Sequence, residues 1–375
     1  MTNSYQLLAG AEAFLRALAA ELPHCQRSLY AQFMTYEGDA AGRAFSDSLA
    51  ARAAQGADVR LMVDGYTDVV LSDIYPILLH RLGEARQERA QTHALFESLE
   101  RRGVALRRTA PPGPLGVYLP YRNHKKMVIL DERVAFVGGI NISEHNFAWH
   151  DFMVRIEGPL VGALAEDFCS TWDGATTPFD TARPGEDFIL NQCAGRYPIF
   201  DEVLAMIARA EQSIVVESPY LLGDRIEAAL LAAARRGVRV TIILPHASNK
   251  LAYRLWSRKL RRRLAHPNIG LYGFRGNGGM THAKLLMVDD RWATFGSFNM
   301  IELEGLTQKE LNVFTSSAGM IGQLQQFVAR DLSQSTPLAP VRFGGSRCTY
   351  DALYHVFRWW TRRLLRRPEW KVVYC

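Results

Sequence analysis

Cysteine is scarce in this chain, and so is lysine. The five cysteines, Cys25, Cys169, Cys193, Cys348 and Cys375, are odd in number and follow no spacing. That argues against a disulfide framework and for reduced thiols. Of the 44 basic residues only 7 are lysine and 37 are arginine, the side chain whose planar fork suits bidentate contact with phosphates. The net charge of +6 therefore favours an anionic partner, nucleic acid or an acidic membrane surface, without choosing between them. Long apolar runs are missing as well: no stretch approaches the roughly 18 uninterrupted apolar residues of a membrane span. Met1 to Leu22 carries no basic segment ahead of its apolar residues, so neither a transmembrane helix nor a signal peptide is expected. What is present is length and apolar content. At 375 residues and 48% hydrophobic, the chain exceeds a single core and implies two domains or two fused halves.

The halves announce themselves by writing one motif twice. His124-Lys125-Lys126-Met127-Val128-Ile129-Leu130-Asp131 returns as His282-Ala283-Lys284-Leu285-Leu286-Met287-Val288-Asp289. Both read His-x-Lys, four apolar residues, Asp, and the likeness continues at constant offset through Arg133 and Arg291, Ala135 and Ala293, Gly138 and Gly296, Asn141 and Asn299. With 10 His, 7 Lys and 18 Asp in the chain, one such motif is expected by chance roughly 0.01 times.

Each apolar run ends at Asp and reads as a short buried strand. Residues two apart in a strand share a face, so His124 projects with Lys126 and His282 with Lys284. Asp131 and Asp289 stand at the strand ends, an odd number of steps away, and are expected to support the site as salt bridges or turn anchors. Asn141 and Asn299, after a second apolar run and small residues, bring an amide to each neighbourhood. Two His, two Lys and two Asn converging on one point suit a phosphate. Lys and Asn donate to its non-bridging oxygens, one imidazole can attack phosphorus and the other can handle a proton. A metal site is the rival reading, but an ammonium beside each His repels a divalent cation and cannot ligate it. No metal and no cofactor are expected at these motifs. Histidines merely satisfied in a core would be the default for one His, and the duplication argues against that.

The rest of the chain follows the same doubling. Residues 11–22 have helical spacing, 28–33 read as a strand, 41–55 as a helix stopped by Gly56, and 59–64 as a strand. The second half repeats this with a helix at 202–210, a strand at 213–217, a helix at 224–236 ended by Gly237, and a strand at 238–243. The alternation predicts an α/β layer structure with a mixed sheet in each half. Residues 69–100 read as a helical insertion, and Pro111 to Gly116 as a loop before the first motif. The expected division is 1–175 for the first half, 176–198 for a Gly-, Pro-, Thr- and Asp-rich linker, 199–335 for the second half and 336–375 for a basic tail. In that tail Leu353, Val356, Phe357, Trp360 and Leu364 fall on one helical side and Arg358, Arg362, Arg363 and Arg366 on the other. This is the pattern of an interfacial helix on anionic lipid, or of a helix docked on the body. Lys250 to Arg263 carries a second basic run, either a solvated helix face or an anionic-surface contact.

The doubled motif resembles the phospholipase D superfamily, and the wider pattern resembles its bacterial cardiolipin synthase branch. The likeness rests on Gly138-Gly139-Ile140-Asn141-Ile142-Ser143, on Trp149 to Pro159 and on Glu310-Leu311-Asn312-Val313, and runs from about residue 28 to 330. It implies two pseudo-symmetric halves sharing one active site at their interface. It also implies a phosphatidyltransferase acting on a phosphatidylglycerol-like phospholipid through a phosphohistidine, with His124 as nucleophile and His282 as acid and base. Glu310 would orient His124 and Asp151 would orient His282, each across the pseudo-twofold axis. Trp149-His150-Asp151 departs from the family, which more often has Arg in the middle. A phospholipase D or a nuclease of the same superfamily is the alternative, since water attacks the same intermediate; two motifs in one chain and the tail favour lipid over nucleic acid. A catalytically silent lipid- or nucleic-acid-binding scaffold is disfavoured because all six residues of the doubled His, Lys and Asn set are present. The implied location is peripheral, on the cytoplasmic face of a bacterial inner membrane, with an anionic membrane surface as partner through the tail.

Overall fold

Two mixed sheets, one from each half, carry the same strand order. The structure, a computed structural model, describes residues 2–70, 82–111, 121–175, 187–193, 196–249, 251–302, 307–339 and 359. The first half runs β1 (Ser4–Ala9), α1 (Gly10–Glu21), β2 (Ser28–Phe33), α2 (Ala40–Ala53), β3 (Asp58–Asp64), α3 (Leu82–Arg101) and β4 (Ala105–Thr109). It continues with β5 (Met127–Leu130), β6 (Val134–Gly138), α4 (Glu144–Phe147), β7 (Phe152–Glu157) and α5 (Leu160–Trp172). The second half runs β8 (Phe188–Gln192), α6 (Pro198–Arg209), β9 (Ser213–Glu217), α7 (Asp224–Arg235), β10 (Arg239–Pro245), α8 (Leu251–Arg263) and β11 (Ile269–Phe274). After these come β12 (Leu285–Val288), β13 (Trp292–Gly296), β14 (Glu310–Thr315), α9 (Ala318–Ser333) and β15 (Ser335–Pro337). The sheets are ordered β1-β7-β6-β5-β2-β3-β4 and β8-β14-β13-β12-β9-β10-β11-β15. They match strand for strand, with β15 added at one edge.

The helices expected from spacing are present with shifted ends. α6 starts earlier than expected because Pro198 occupies its first turn, where the missing N–H costs nothing. Several elements were not read from the sequence, β1 and β8 among them. β1 is a short edge strand, and β8 lies inside the segment 176–198, where it pairs antiparallel with β14 and completes the second sheet. The segment 69–100 is in part α3, which stands between the third and fourth strands of its sheet as α8 does in the other. α3 is therefore a counterpart of α8, with Phe96 and Leu99 buried in the first half's outer core; residues 71–81 lie outside the described ones. The tail residues Leu353 to Arg366 also lie outside them, apart from exposed Trp359.

The apolar runs of the motifs are continuous because both faces of their strands are buried. Met127 and Ile129 of β5 and Leu285 and Met287 of β12 enter one central core between the sheets. Val128 and Leu130 instead enter the outer core of the first half, and Leu286 and Val288 that of the second. Phe152 and Phe295, one from each half, meet in the central core at 6.3 Å between ring centroids. Lys125, pointing away from its two motif neighbours, donates to Asp167 of α5 at 2.7 Å, and Asn191 of β8 donates to the same carboxylate at 2.6 Å. That buried group ties the first motif to the second sheet.

Each motif aspartate closes a hairpin. Asp131 and Glu132 have φ of 54° and 53°, and Asp289 and Asp290 have 55° and 52°, two-residue turns of the twist that suits right-handed strands. The Asp131 carboxylate accepts from the backbone N–H of Gln26, Arg27 and Ser28 at 2.7, 2.7 and 2.8 Å. Asp289 accepts from Glu211, Gln212 and Ser213 at 2.9, 2.7 and 2.9 Å. Burial would raise both carboxyls, but these donors hold them below the usual range. Each aspartate thus pins its hairpin to the entry of β2 or β9. Asp131→Ala and Asp289→Ala should each lower stability by about 2–4 kcal/mol, since bonds to a charged acceptor are lost. Urea unfolding at neutral pH measures this, and an unchanged midpoint would contradict it.

Candidate active site

The histidine ends of β5 and β12 meet where the two halves abut. Chain pairing sets this up before any side chain contributes. The His124 N–H donates to the Lys309 carbonyl at 2.8 Å, and the His282 N–H donates to the His150 carbonyl at 2.6 Å. Each histidine is thereby placed beside the residue that follows in the opposite half, which is a carboxylate. Nδ1 of His124 lies 3.0 and 3.1 Å from the two oxygens of Glu310. Nδ1 of His282 lies 2.6 Å from Oδ2 of Asp151. With Nδ1 of each ring on a carboxylate, Nε2 is the nitrogen turned away from that carboxylate; Nε2 of His282 lies 3.2 Å from Nζ of Lys284.

The lysines lie under the histidines, as the strand period requires. Nζ of Lys126 donates to the His124 carbonyl and Nζ of Lys284 to the His282 carbonyl, both at 2.5 Å. Lys284 is also 2.8 Å from Nδ1 of His282 and 3.6 Å from Asp151. Asn141 and Asn299 line the cleft with both histidines, and Asn141 accepts from the Thr35 N–H at 3.1 Å. The cleft has an empty volume of about 700 Å³. Asp131 and Asp289 do not line it: seven residues of extended chain, about 20 Å, separate each from its histidine. Their carboxylates are taken up by backbone N–H groups at the hairpins, away from the cleft.

Several residues at the cleft were not read from the sequence. Trp149 stands 4.9 Å from the His282 ring and Tyr220 6.5 Å from it, between centroids. Arg122 pairs with Asp64 at 2.8 Å, and Asp64 accepts from the Asn123 N–H at 2.6 Å, which fixes the chain just before His124. Ser297 donates to the Glu310 carboxylate. Apart from Trp149, which opens the family-like run Trp149 to Pro159, no local pattern marks these residues, since each acts on a partner outside its own motif.

The two histidine–carboxylate pairs differ where the motif flanks differ. A Cβ on Gly139 would stand 2.3 Å from Oδ2 of Asp151, so the glycine makes room for that carboxylate. The equivalent residue in the second half is Ser297, and there the longer Glu310 reaches its hydroxyl. Charge differs too. Burial would raise Asp151, but Lys284 and then His282 hold it below the usual carboxylate range. Burial and then Lys284 push His282 down to about 3, against the pull of Asp151. Burial pushes Glu310 up to about 7, opposed by Lys126 and Ser297. These shifts favour neutral His282 over Asp151 carboxylate, while Glu310 changes charge near neutrality. Gly139→Ala should displace the Asp151 carboxylate and cut turnover at the site by about 10²-fold or more, while the thermal midpoint moves by only a few degrees. Unchanged turnover in the folded variant would show that Asp151 does not need that space.

Comparison with known proteins places these features in a family. The model described as "Cardiolipin synthase, PLD-like domain" matches residues 18–172 and 203–332. The probable cardiolipin synthase YwiE of Bacillus subtilis (strain 168) is 26% identical over 340 residues, 84% of this chain and 63% of the relative, so the chain spans less than two thirds of that protein. Cardiolipin synthase B of Shigella flexneri is 26% identical over 335 residues, 83% of this chain and 76% of its own length. Among solved structures, the phosphatidylserine synthase of Haemophilus influenzae Rd KW20 superposes with a TM-score of 0.66 at 11% identity, covering 96% of this chain and 93% of that one. That likeness is one of fold. The matched segments take in both His-x-Lys motifs and every strand of the two sheets except β1, β8 and β15, and on that basis the chain belongs to the cardiolipin synthase family of phospholipase D-like proteins.

Proposed function

We propose that the protein is a cardiolipin-synthase-like phosphatidyltransferase. It moves a phosphatidyl group from a phosphatidylglycerol-like donor, through a phosphohistidine, to the hydroxyl of an acceptor phospholipid, with release of glycerol or another alcohol. The observation that carries this reading is the crossed pairing of His124 with Glu310 and His282 with Asp151, which aims two imidazole Nε2 atoms at one cleft over two buried lysines.

In this mechanism Nε2 of His124 attacks phosphorus, the P–O bond to the departing alcohol breaks, and a proton on His282 passes to that oxygen. Neutral His282 then takes the proton of the acceptor hydroxyl, whose oxygen attacks phosphorus as the P–N bond breaks. The choice of His124 as nucleophile follows the family resemblance. Glu310 steadies His124 as it gains positive charge, and Lys126, Lys284, Asn141 and Asn299 balance charge on the phosphate oxygens. The resting His282 lacks the proton it must give. A phosphodiester anion entering above Lys284 offsets the lysine's charge and lets His282 take that proton up. No helix among the described residues is long and apolar enough to cross a membrane. We place the protein peripherally at an anionic membrane surface on the cytoplasmic side, with residues 336–375 making contact.

Vesicles containing phosphatidylglycerol, with products identified by mass, test this. Cardiolipin and glycerol are expected. Phosphatidic acid alone would make the protein a hydrolase, and no change would leave it without this activity. His124→Ala should abolish turnover, and His282→Ala should lower it by about 10²–10⁴-fold.

A pH profile tests the electrostatics separately. Glu310 must be ionised to support cationic His124, and its carboxyl is pushed up to about 7. kcat/KM should therefore rise with pH through about 7 and fall below it as Glu310 takes a proton. In Glu310→Gln this limb should vanish along with most of the activity; its persistence would assign it to another group.

A further inference from the structure

Behind His282, on the side away from the cleft, lies a second set of polar residues that the reaction does not use. His150, Glu217 at the end of β9 and Asp331 of α9 offer one ligand atom each, all within 4.8 Å of one another. The two carboxylates are buried, at 0% and 1% exposure. Oε2 of Glu217 and Oδ2 of Asp331 have no hydrogen-bond donor, and Nε2 of His150, although 2.8 Å from Oδ1 of Asp331, makes no bond that meets ring N–H geometry. Buried polar atoms left this way call for something between them.

The surroundings hold the three groups in place. The His150 ring is stacked between Phe274 and Phe327, at 4.6 and 5.0 Å between centroids. Thr281 donates to the other oxygen of Glu217 at 2.5 Å. Burial and then the facing Asp331 push the Glu217 carboxyl well above its usual range. Two carboxylates so placed must share either a proton or a cation. Asp151 nearby has its own cation in Lys284, whereas among the described residues the only basic side chain paired with Glu217 or Asp331 is His150, on Asp331. At the equivalent place Gln32, matching Glu217, donates to Asn123, matching Thr281, and Lys309 stands where the other side has His150. The pairing of an imidazole with a buried carboxylate at the Glu217 position is thus not repeated by Gln32.

We propose that His150, Glu217 and Asp331 bind one divalent cation, zinc or manganese, which clamps the two halves together behind His282. One imidazole nitrogen and two carboxylates are a borderline-metal donor set; magnesium and calcium favour oxygen alone. The ligands come from both sides of the interface. His150 precedes β7 of the first sheet, and its carbonyl accepts from the His282 N–H, while Glu217 and Asp331 belong to the second half. The ammonium argument against a metal at the motif histidines does not carry over, since Lys284 is engaged by the His282 carbonyl and by Asp151.

The test uses the full, untagged chain purified without chelator from medium supplied with zinc and manganese. Elemental analysis should find about one zinc or manganese per chain. Chelator should lower the thermal midpoint by several degrees, and zinc or manganese should restore it. Glu217→Gln and Asp331→Asn, which keep shape and remove ligand charge, should hold less than about a tenth of the metal and show midpoints indifferent to chelator. A wild-type chain with less than about a tenth of an equivalent, and with a midpoint that zinc, manganese and chelator leave alone, would mean that the cluster holds a proton. Full metal retention by folded Glu217→Gln would overturn the site as assigned. Should both variants fail to fold, the wild-type metal content and midpoint decide alone.

Discussion

Each histidine of this protein is held by a carboxylate that belongs to the other half. The constraint begins in the backbone, where His124 pairs with Lys309 and His282 with His150 across the interface. These bonds set the halves in a register that brings Glu310 to one ring and Asp151 to the other. The central core must then fill the space between two sheets at a fixed separation, with Met127, Ile129, Leu285, Met287 and the Phe152–Phe295 contact. Buried apolar area supplies the cohesion, and the crossed polar pairs determine which of many apolar packings is compatible with the site.

Duplication has not produced equivalence. Gly139 with Asp151 and Ser297 with Glu310 are two solutions to one spatial problem, a short carboxylate with an empty neighbour and a long one with a hydroxyl. Lys284 sits against its own histidine and the crossed aspartate, and this keeps His282 neutral and Asp151 charged. Glu310, fully buried, has its charge in balance near neutrality. A site meant to attack with one imidazole and move a proton with the other needs such inequality, and small differences beside a repeated motif supply it.

Most of the fold and half of the site were legible in the sequence. His124 with Lys126 and His282 with Lys284 followed from the two-residue period, and the unbroken apolar runs from strands buried on both faces. Asp131 and Asp289 were legible as anchors, and the left-handed turns they start explain why an acidic pair ends each strand. Asp151 and Glu310 were not derivable from spacing, because their partners lie in the opposite half; only family resemblance pointed to them. Ser297 and Tyr220 carried no local signal, and Trp149 only that of the family-like run it opens. β1 and β8 were missed because short edge strands show little pattern, and β8 is preceded by a run of turn-forming residues. α3 looked inserted because its connection is long, although its place in the topology matches α8.

The crossed arrangement also bears on how the protein comes into being. A chain grows from its N-terminus, and domains form as they emerge. His124 and Lys126 leave the ribosome 184 or more residues ahead of Glu310, and Asp151 emerges 131 residues ahead of its histidine. The first sheet can be complete while its imidazole has no carboxylate behind it and its cleft has only one wall. On the mechanism proposed above, a first half alone lacks both the carboxylate behind His124 and the second imidazole, and the site is complete only when the last strand of the second motif region closes against the first.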